Sequence, residues 1–230
     1  MYTFFFMPIT YSTENFLTVC NRVLENIGER TAANSTGTPV ARKVATAVRD
    51  AVKDIASYHD WDWAKDYVFL NSWSNENATL IGVEVVHGLS YGDSTNGFYP
   101  VPWVDNQTFD RFPLQPSTGD LDRPQMYTPH AGDKVRVNRY PTNGTQQNKF
   151  RAYVTLTLPA ISNDSAFIPV PDFALPLVVY RSCMYMAVSH LDDAQAAGLW
   201  ATQYESMLNR LRNRQRNLPT QRNNLFKRRV

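Results

Sequence analysis

Apolar residues recur at helical spacing towards both ends of the chain and at strand spacing in its middle. Phe16, Leu17, Cys20, Val23, Leu24 and Ile27 fall on one face of a helix. Ser12 or Thr13 is expected to cap it, with Glu14 in the first turn and Gly28 as the residue that ends it. After a polar loop from Glu29 to Gly37, Thr38-Pro39 supplies an N-cap followed by proline at the first helical position. Val40, Val44, Ala47, Val48, Ala51, Val52 and Ile55 then form a second stripe, which carries this helix to His59. Trp61 and Trp63 flank its end and read as anchors.

From Asp66 the pattern changes. Tyr67–Leu70, Thr79–Val86, Lys134–Val137 and Phe150–Leu158 are rich in β-branched and aromatic residues, and the last two alternate, so they read as strands. Seven of the 14 prolines lie between Pro100 and Pro141, which excludes long helix there. That span reads as loops and short edge strands, with Asn143-Gly144 as a turn. Gly88–Asp93 reads as a loop, because its glycines fit neither a dinucleotide fingerprint nor a P-loop.

Helical spacing returns after Ile168-Pro169-Val170-Pro171, with Asp172 as an expected cap and Pro176 inside the tolerated first turn. Leu177, Val178, Val179, Tyr180, Met184, Tyr185, Met186 and Val188 are apolar nearly all round, the mark of a buried helix. Its one charge, Arg181, is expected to pair with an acid on a neighbouring helix. Asp192, with Gln195 three residues on, opens a last helix as a weak capping box. Ala197, Trp200, Ala201, Tyr204, Met207, Leu208 and Leu211 line one face, and the pattern ends near Arg216, before Pro219. The expected class is α+β. Residues 1–65 and 165–216 would form a discontinuous four-helix bundle from the N- and C-terminal helix pairs. Residues 66–164 would form a β-rich insert, and 217–230 an extended basic tail.

Charge adds to this layout. The net charge is +2, yet Ser206–Val230 holds eight basic residues and no acid, which leaves residues 1–205 at −6. An acidic body with a basic end marks an interaction tail. Arg210, Arg212, Arg214 and Arg216 alternate, so on a helix they spread round the surface instead of forming one stripe for nucleic acid. Beyond Pro219, Arg222, Lys227, Arg228 and Arg229 are mixed with Leu225, Phe226 and Val230. A frayed terminus, a phosphate-binding tail and a peptide docking into an acidic, partly apolar groove all fit this segment. The apolar residues favour the groove. Fully extended, the residues from Asn217 onward reach about 46 Å, enough to cross a neighbouring subunit.

Candidate chemistry is sparse. His59, His87, His130 and His190 lack zinc spacing to one another or to a cysteine, and no other metal or cofactor motif appears. Cys20 and Cys183 fall on apolar helical positions and read as buried free thiols, suited to a reducing cytosol. There is no Gly-x-Ser-x-Gly elbow. Asp60 with Asp62, and Asp120 with Asp122, are the carboxylate pairs that a glycan hydrolase would need, but they lie in polar linkers where solvated acids are the norm. No catalytic residue is assigned. Phe98, Tyr99 and Trp103, continuing to Phe109 and Phe112, read as a small β core or a contact surface between subunits, ahead of a sugar platform. The start, Met1–Pro8, has no basic n-region and too short an apolar stretch for a signal peptide. No apolar run nears the roughly 20 residues of a membrane span.

Two segments resemble phage head-to-tail adaptors of the tail tubular protein A type. Phe16-Leu17-Thr18-Val19-Cys20-Asn21-Arg22-Val23-Leu24-Glu25-Asn26-Ile27-Gly28-Glu29 resembles the opening helix of that family, with an Asn, aliphatics and Ile-Gly-Glu. A second helix ending in Tyr58-His59-Asp60-Trp61-Asp62-Trp63 follows the same pattern. So do Asp192-Asp193-Ala194-Gln195 and the helix with Tyr204-Glu205 and alternating basic residues. The likeness lies in the helical parts, while Asp66–Pro159 is longer and richer in proline than the family pattern. The resemblance implies a non-enzymatic virion protein at the head-tail junction, made in the bacterial host cytoplasm. It implies a twelve-membered ring of identical subunits under the portal of short-tailed phages, with a nozzle or other tail proteins on its far side. Genomic DNA would pass through without sequence-specific binding, and no membrane is involved. Carried over, Arg222, Leu225, Phe226, Lys227, Arg228, Arg229 and Val230 would bind the portal protein. Phe98, Tyr99, Trp103, Phe109 and Phe112 would serve lateral or nozzle contacts. A nucleic-acid-binding module and a cell-wall glycan hydrolase are the alternatives.

Overall fold

In the computed structural model of the chain, which describes residues 12–93, 95–117, 123–130, 134–141 and 149–217, the first helix, α1, runs over Phe16–Asn26 and is capped by Asn15. Asn15 Oδ1 accepts the Thr18 N–H at 2.9 Å. Ser12 and Thr13 do not cap it. The Ser12 hydroxyl accepts the Glu14 N–H at 2.8 Å, and Thr13 donates its own N–H to Asp172 at 2.7 Å. Glu14 therefore precedes the helix instead of lying in its first turn. At the other end Gly28 takes φ +78, which a side chain would resist. Thr38 caps α2, Pro39–Tyr58, by accepting the Ala41 N–H at 3.0 Å, as its Thr-Pro start predicts.

The chain divides into two units, one built on Trp63–Pro159 and the other on the residues up to Asp62 and from Ala160 onward. The second unit is helical. Besides α1 and α2 it holds a single 3-10 turn, Asp172–Ala174, and two helices, Leu175–Ser189 and Ala194–Asn217. These two are numbered α4 and α5 here, because a one-turn α3 lies between in sequence. Asp172 does not cap α4, since its carboxylate is held by Thr13. α4 is the centre of the unit. Its Leu177, Val178, Val179, Cys183, Met186 and Ala187 are buried, and it packs against α1, α2 and α5. Asp193 caps α5 through the Ala196 N–H at 2.9 Å. Asp192, the expected cap, instead turns the chain at φ +50, a conformation that Asp tolerates better than most residues.

The expected four-helix bundle of N- and C-terminal pairs is not formed. α1 has 11 residues and α5 has 24, so they rise about 16 and 36 Å and cannot line a common core along their lengths. The main packing partner of α5 is α4. Only Tyr204, Leu208 and Leu211 of its expected stripe are buried, Leu199 is 65% exposed, and Trp200 stacks on Tyr180 at a centroid separation of 5.9 Å. A helix in a closed bundle buries stripes against two neighbours, and α5 has one narrow seam. The α+β class stands, with the helices arranged around α4.

The other unit is β-rich. Its strands are β1 (Lys65–Phe69), β2 (Trp73–Ser74), β3 (Asn77–Thr79), β4 (Val83–Asp93), β5 (Gly97–Val101), β6 (Gln115–Ser117), β7 (Tyr127–His130), β8 (Lys134–Val137), β9 (Arg139–Pro141) and β10 (Phe150–Leu156). They form an antiparallel sheet in the order β1-β10-β4-β5, a second in the order β2-β3-β8-β7, and a parallel pair β6-β9. Leu70, Leu80, Leu89, Val135, Val137, Phe150, Ala152 and Val154 belong to one buried cluster. The single strand expected over Thr79–Val86 is two, separated at Gly82, φ +73. The loop expected at Gly88–Asp93 is the second half of β4, because Leu89 and Tyr91 pair with β5 and turn inward. The proline-rich span holds β5 and β7, with Pro100 and Pro129 in the outermost strands of their sheets, where a missing N–H breaks no ladder. It also holds α3, Asn106–Phe109, capped by Asp105. Asn143-Gly144 lies outside the described residues.

Candidate functional site

Among the described residues no three His, Cys, Asp or Glu side chains come together as a metal site. Burial pushes the Cys20 and Cys183 thiols up to about 12 and leaves them poor nucleophiles. Asp60 and Asp62 are exposed, and Asp120 and Asp122 lie outside the described residues. Each unit presents its own surface of charged and aromatic groups.

In the helical unit, charged groups are tied to neighbours. Arg181 on α4 meets Asp54 on α2 at 2.8 Å, the ion pair its sequence position predicts. The Tyr185 hydroxyl donates to the same carboxylate oxygen. Burial works to raise the Asp54 pKa, but the hydrogen bonds from Tyr185 and Arg181 and the Arg181 charge outweigh it and hold the group below its usual range. The Arg181 guanidinium also lies 5.4 Å from the Tyr204 ring, which draws α5 into the same cluster. Asp164 accepts the Ser35 hydroxyl and its N–H, and these bonds lower its pKa.

Two of the alternating arginines of α5 are engaged with rings of their own unit. Arg212 lies 5.8 Å from the Tyr58 ring centre and Arg214 4.9 Å from that of Phe173. Gln215 Nε2 donates to the Asp60 carbonyl at 3.0 Å. The end of α5 is thus pinned to its unit where the basic segment begins. Arg222, Leu225, Phe226, Lys227, Arg228, Arg229 and Val230 lie outside the described residues.

The aromatic stretch of the β-rich unit does not form one patch. Phe109 is fully buried, with the Arg136 guanidinium 4.8 Å from its ring. Trp103 is 59% exposed, and Tyr99 and Phe112 are also exposed. Tyr99 carries the Arg123 guanidinium 4.8 Å from its ring. Phe98 is half-buried on a different surface, the outer face of the four-stranded sheet. Val68, Ala152 and Val154 face the core there, so their neighbours Tyr67, Phe69, Arg151 and Tyr153 face out. Tyr67 and Tyr153 pair across the strands with rings 5.0 Å apart, and Phe69 lies 6.1 Å from Phe98. Arg151 sits between two rings, 4.2 Å from Tyr67 and 4.0 Å from Phe98. Sequence reading named Phe98 but missed Arg151. The alternation of Phe150–Leu158 was the available signal, since it sends Arg151 to the same side as Tyr153.

The family model described as SU10 adaptor protein matches residues 14–224. The match runs through the β-rich unit as well as the helices, whereas the sequence resemblance rested on the helical parts alone. No curated protein matches the chain.

Proposed function

The chain belongs to the SU10 adaptor protein family, and on that premise we propose that this phage head-to-tail adaptor protein is a ring subunit docked on the portal. Its role in the particle is structural. The observation that carries the reading is the reach of the family match, residues 14–224, which takes in both units and ends before Leu225. In this reading the helical unit supplies lateral contacts within a ring of about twelve copies, the number that the resemblance implies, as closed cyclic symmetry requires of identical subunits. The β-rich unit, Trp63–Pro159, faces the nozzle or another tail protein. The segment from Asn217, with Arg222, Leu225, Phe226, Lys227, Arg228, Arg229 and Val230, enters the portal. Support comes from the pairing of cations with apolar residues in that segment, which suits an acidic, partly apolar protein groove. Support also comes from the pinning of α5 just before it, which fixes where the segment starts.

The net charge of −6 on residues 1–205 fits a channel that lets DNA pass without gripping it. No enzymatic activity forms part of the proposal. Deleting 217–230 is expected to leave a folded protein, by circular dichroism, that no longer raises the native mass of the portal. Full association of the truncated protein would overturn the tail assignment. Tight DNA binding by the full chain, with a steep loss on adding salt, would favour a nucleic-acid-binding module instead.

A further inference from the structure

Among the described residues Arg151 is a cation without a counter-charge. It lies on the outer face of the sheet, half-buried, with Tyr67 and Phe98 as plates on either side. Its Nε–H is buried and has no acceptor. No carboxylate pairs with it among the described residues, and burial lowers its pKa from the ordinary value. Arg181 has Asp54, Arg136 has Asp110 at 3.0 Å, and Arg22 has Glu14 at 2.6 Å. The floor beside Arg151 is low, since Gly88 and Ser90 of β4 stand opposite Tyr153 and Arg151, and open space lies above Gly88.

The Nε–H is buried out of reach, so an incoming anion would meet the guanidinium at its two outer nitrogens and offset the cost of half-burying the charge. The two rings hold its plane and leave its edge as the donor surface, the geometry that a carboxylate meets with two parallel bonds. We propose that Arg151 is the anchor of a docking face on this sheet and takes a carboxylate from an acidic segment of a neighbouring protein. The inference rests on the adaptor reading only for the presence of such a neighbour. Charge complementarity selects protein over nucleic acid. A phosphate backbone carries a charge about every 1.7 Å of duplex and is held by a track of cations. Here one ring-flanked cation takes the place of a track. One framed cation reads one carboxylate, and the rings beside it suit the apolar flanks of a peptide.

The test titrates the full chain with a blocked Thr-Val-Glu-Val-Thr peptide, with its Gln counterpart, and with a twelve-nucleotide single strand of DNA, following the Arg151 Nε–H signal by NMR. The Glu peptide is expected to bind about 10- to 100-fold more tightly than the Gln peptide, the range of a charge-assisted hydrogen bond. Arg151→Met is expected to erase that preference with an unchanged circular dichroism spectrum, and Arg151→Lys to retain part of it. Equal binding of the two peptides, a preference that survives in Arg151→Met, or tighter binding of the DNA would each overturn the proposal. Failure of the adaptor reading has a separate signature, the absence of portal association by the wild-type chain, and leaves the peptide comparison intact.

Discussion

In the helical unit several charged groups are tied to partners on neighbouring elements, while in the β-rich unit Arg151 meets no carboxylate among the described residues. In the first, Asp54, Arg181 and Tyr185 tie α2 to α4, Asp164 holds Ser35, and Asp172 holds Thr13. In the second, one face of the four-stranded sheet is packed with Phe150, Ala152 and Val154, and the other carries Arg151 against two rings with no acid beside it among the described residues. The difference teaches where each unit is specialised. A unit whose charges are matched internally is a scaffold, whereas an unmatched charge on an ordered face is suited to a partner.

The sharpest way to break this comparison is to damage one unit and watch the other. Leu177→Ala on α4 and Phe150→Ala on β10 each open a cavity at a buried position, and each is expected to cost about 3 to 4 kcal/mol. Calorimetry is expected to show the first lowering the transition of the helical unit and the second that of the β-rich unit. If either variant shifts a single shared transition, the units unfold as one and the contrast fails.

A smaller effect tests the matched charges. Because the Asp54 pKa is held below its ordinary 3.8, its ionised form stabilises the fold fully above that value, and the benefit drains away as pH falls through the lower folded value. Asp54→Asn is expected to cost about 1 kcal/mol at neutral pH, the scale of a partly exposed ion pair. Chemical denaturation across the acid range is expected to give a shallower loss of stability for this variant. It will not be flat, since Asp164 and Asp172 are lowered as well. An unchanged acid limb would mean that the Asp54 cluster contributes nothing to the scaffold.

The smallest effect concerns the end of α5. Phe173→Ala removes the ring beneath Arg214, a contact worth about 0.5 kcal/mol at an exposed site. Hydrogen exchange in the last turn of α5 is expected to speed up about two-fold, with exchange in α4 unchanged. No change in the last turn would show that Gln215 and Arg212 hold the helix end without it.

Local patterns were legible in the sequence because they depend on residues a few positions apart. The apolar stripes placed α1, α2, α4 and α5, Thr38-Pro39 marked a start, and Gly28 marked an end. The ion pair of Arg181 followed from its being the one charge on an apolar helix. The cap of α1 was misread because Ser12, Thr13 and Asn15 are all able caps, and only the distant Asp172 decides that Thr13 is engaged elsewhere. The bundle was misread because helical spacing gives a face but not the partner for that face. Among the candidate contact residues, Trp103 and Phe109 are both large aromatics and lie six positions apart. One is buried beneath Arg136 and the other exposed, a choice made by the sheet behind them.

The sequence alone determined where α1, α2, α4 and α5 lie and, within a few residues, β1, β8 and β10, and that an acidic body ends in a basic segment, since periodicity and charge are properties of neighbours along the chain. Tertiary structure decided that α4 is the hub, that α5 leans on it by one seam, and that Arg151 is framed by Tyr67 and Phe98. The physical reason is register. β1, β10 and the β4-β5 hairpin come from separate parts of the chain, and the long-range pairing that aligns them also fixes which side chains share a face.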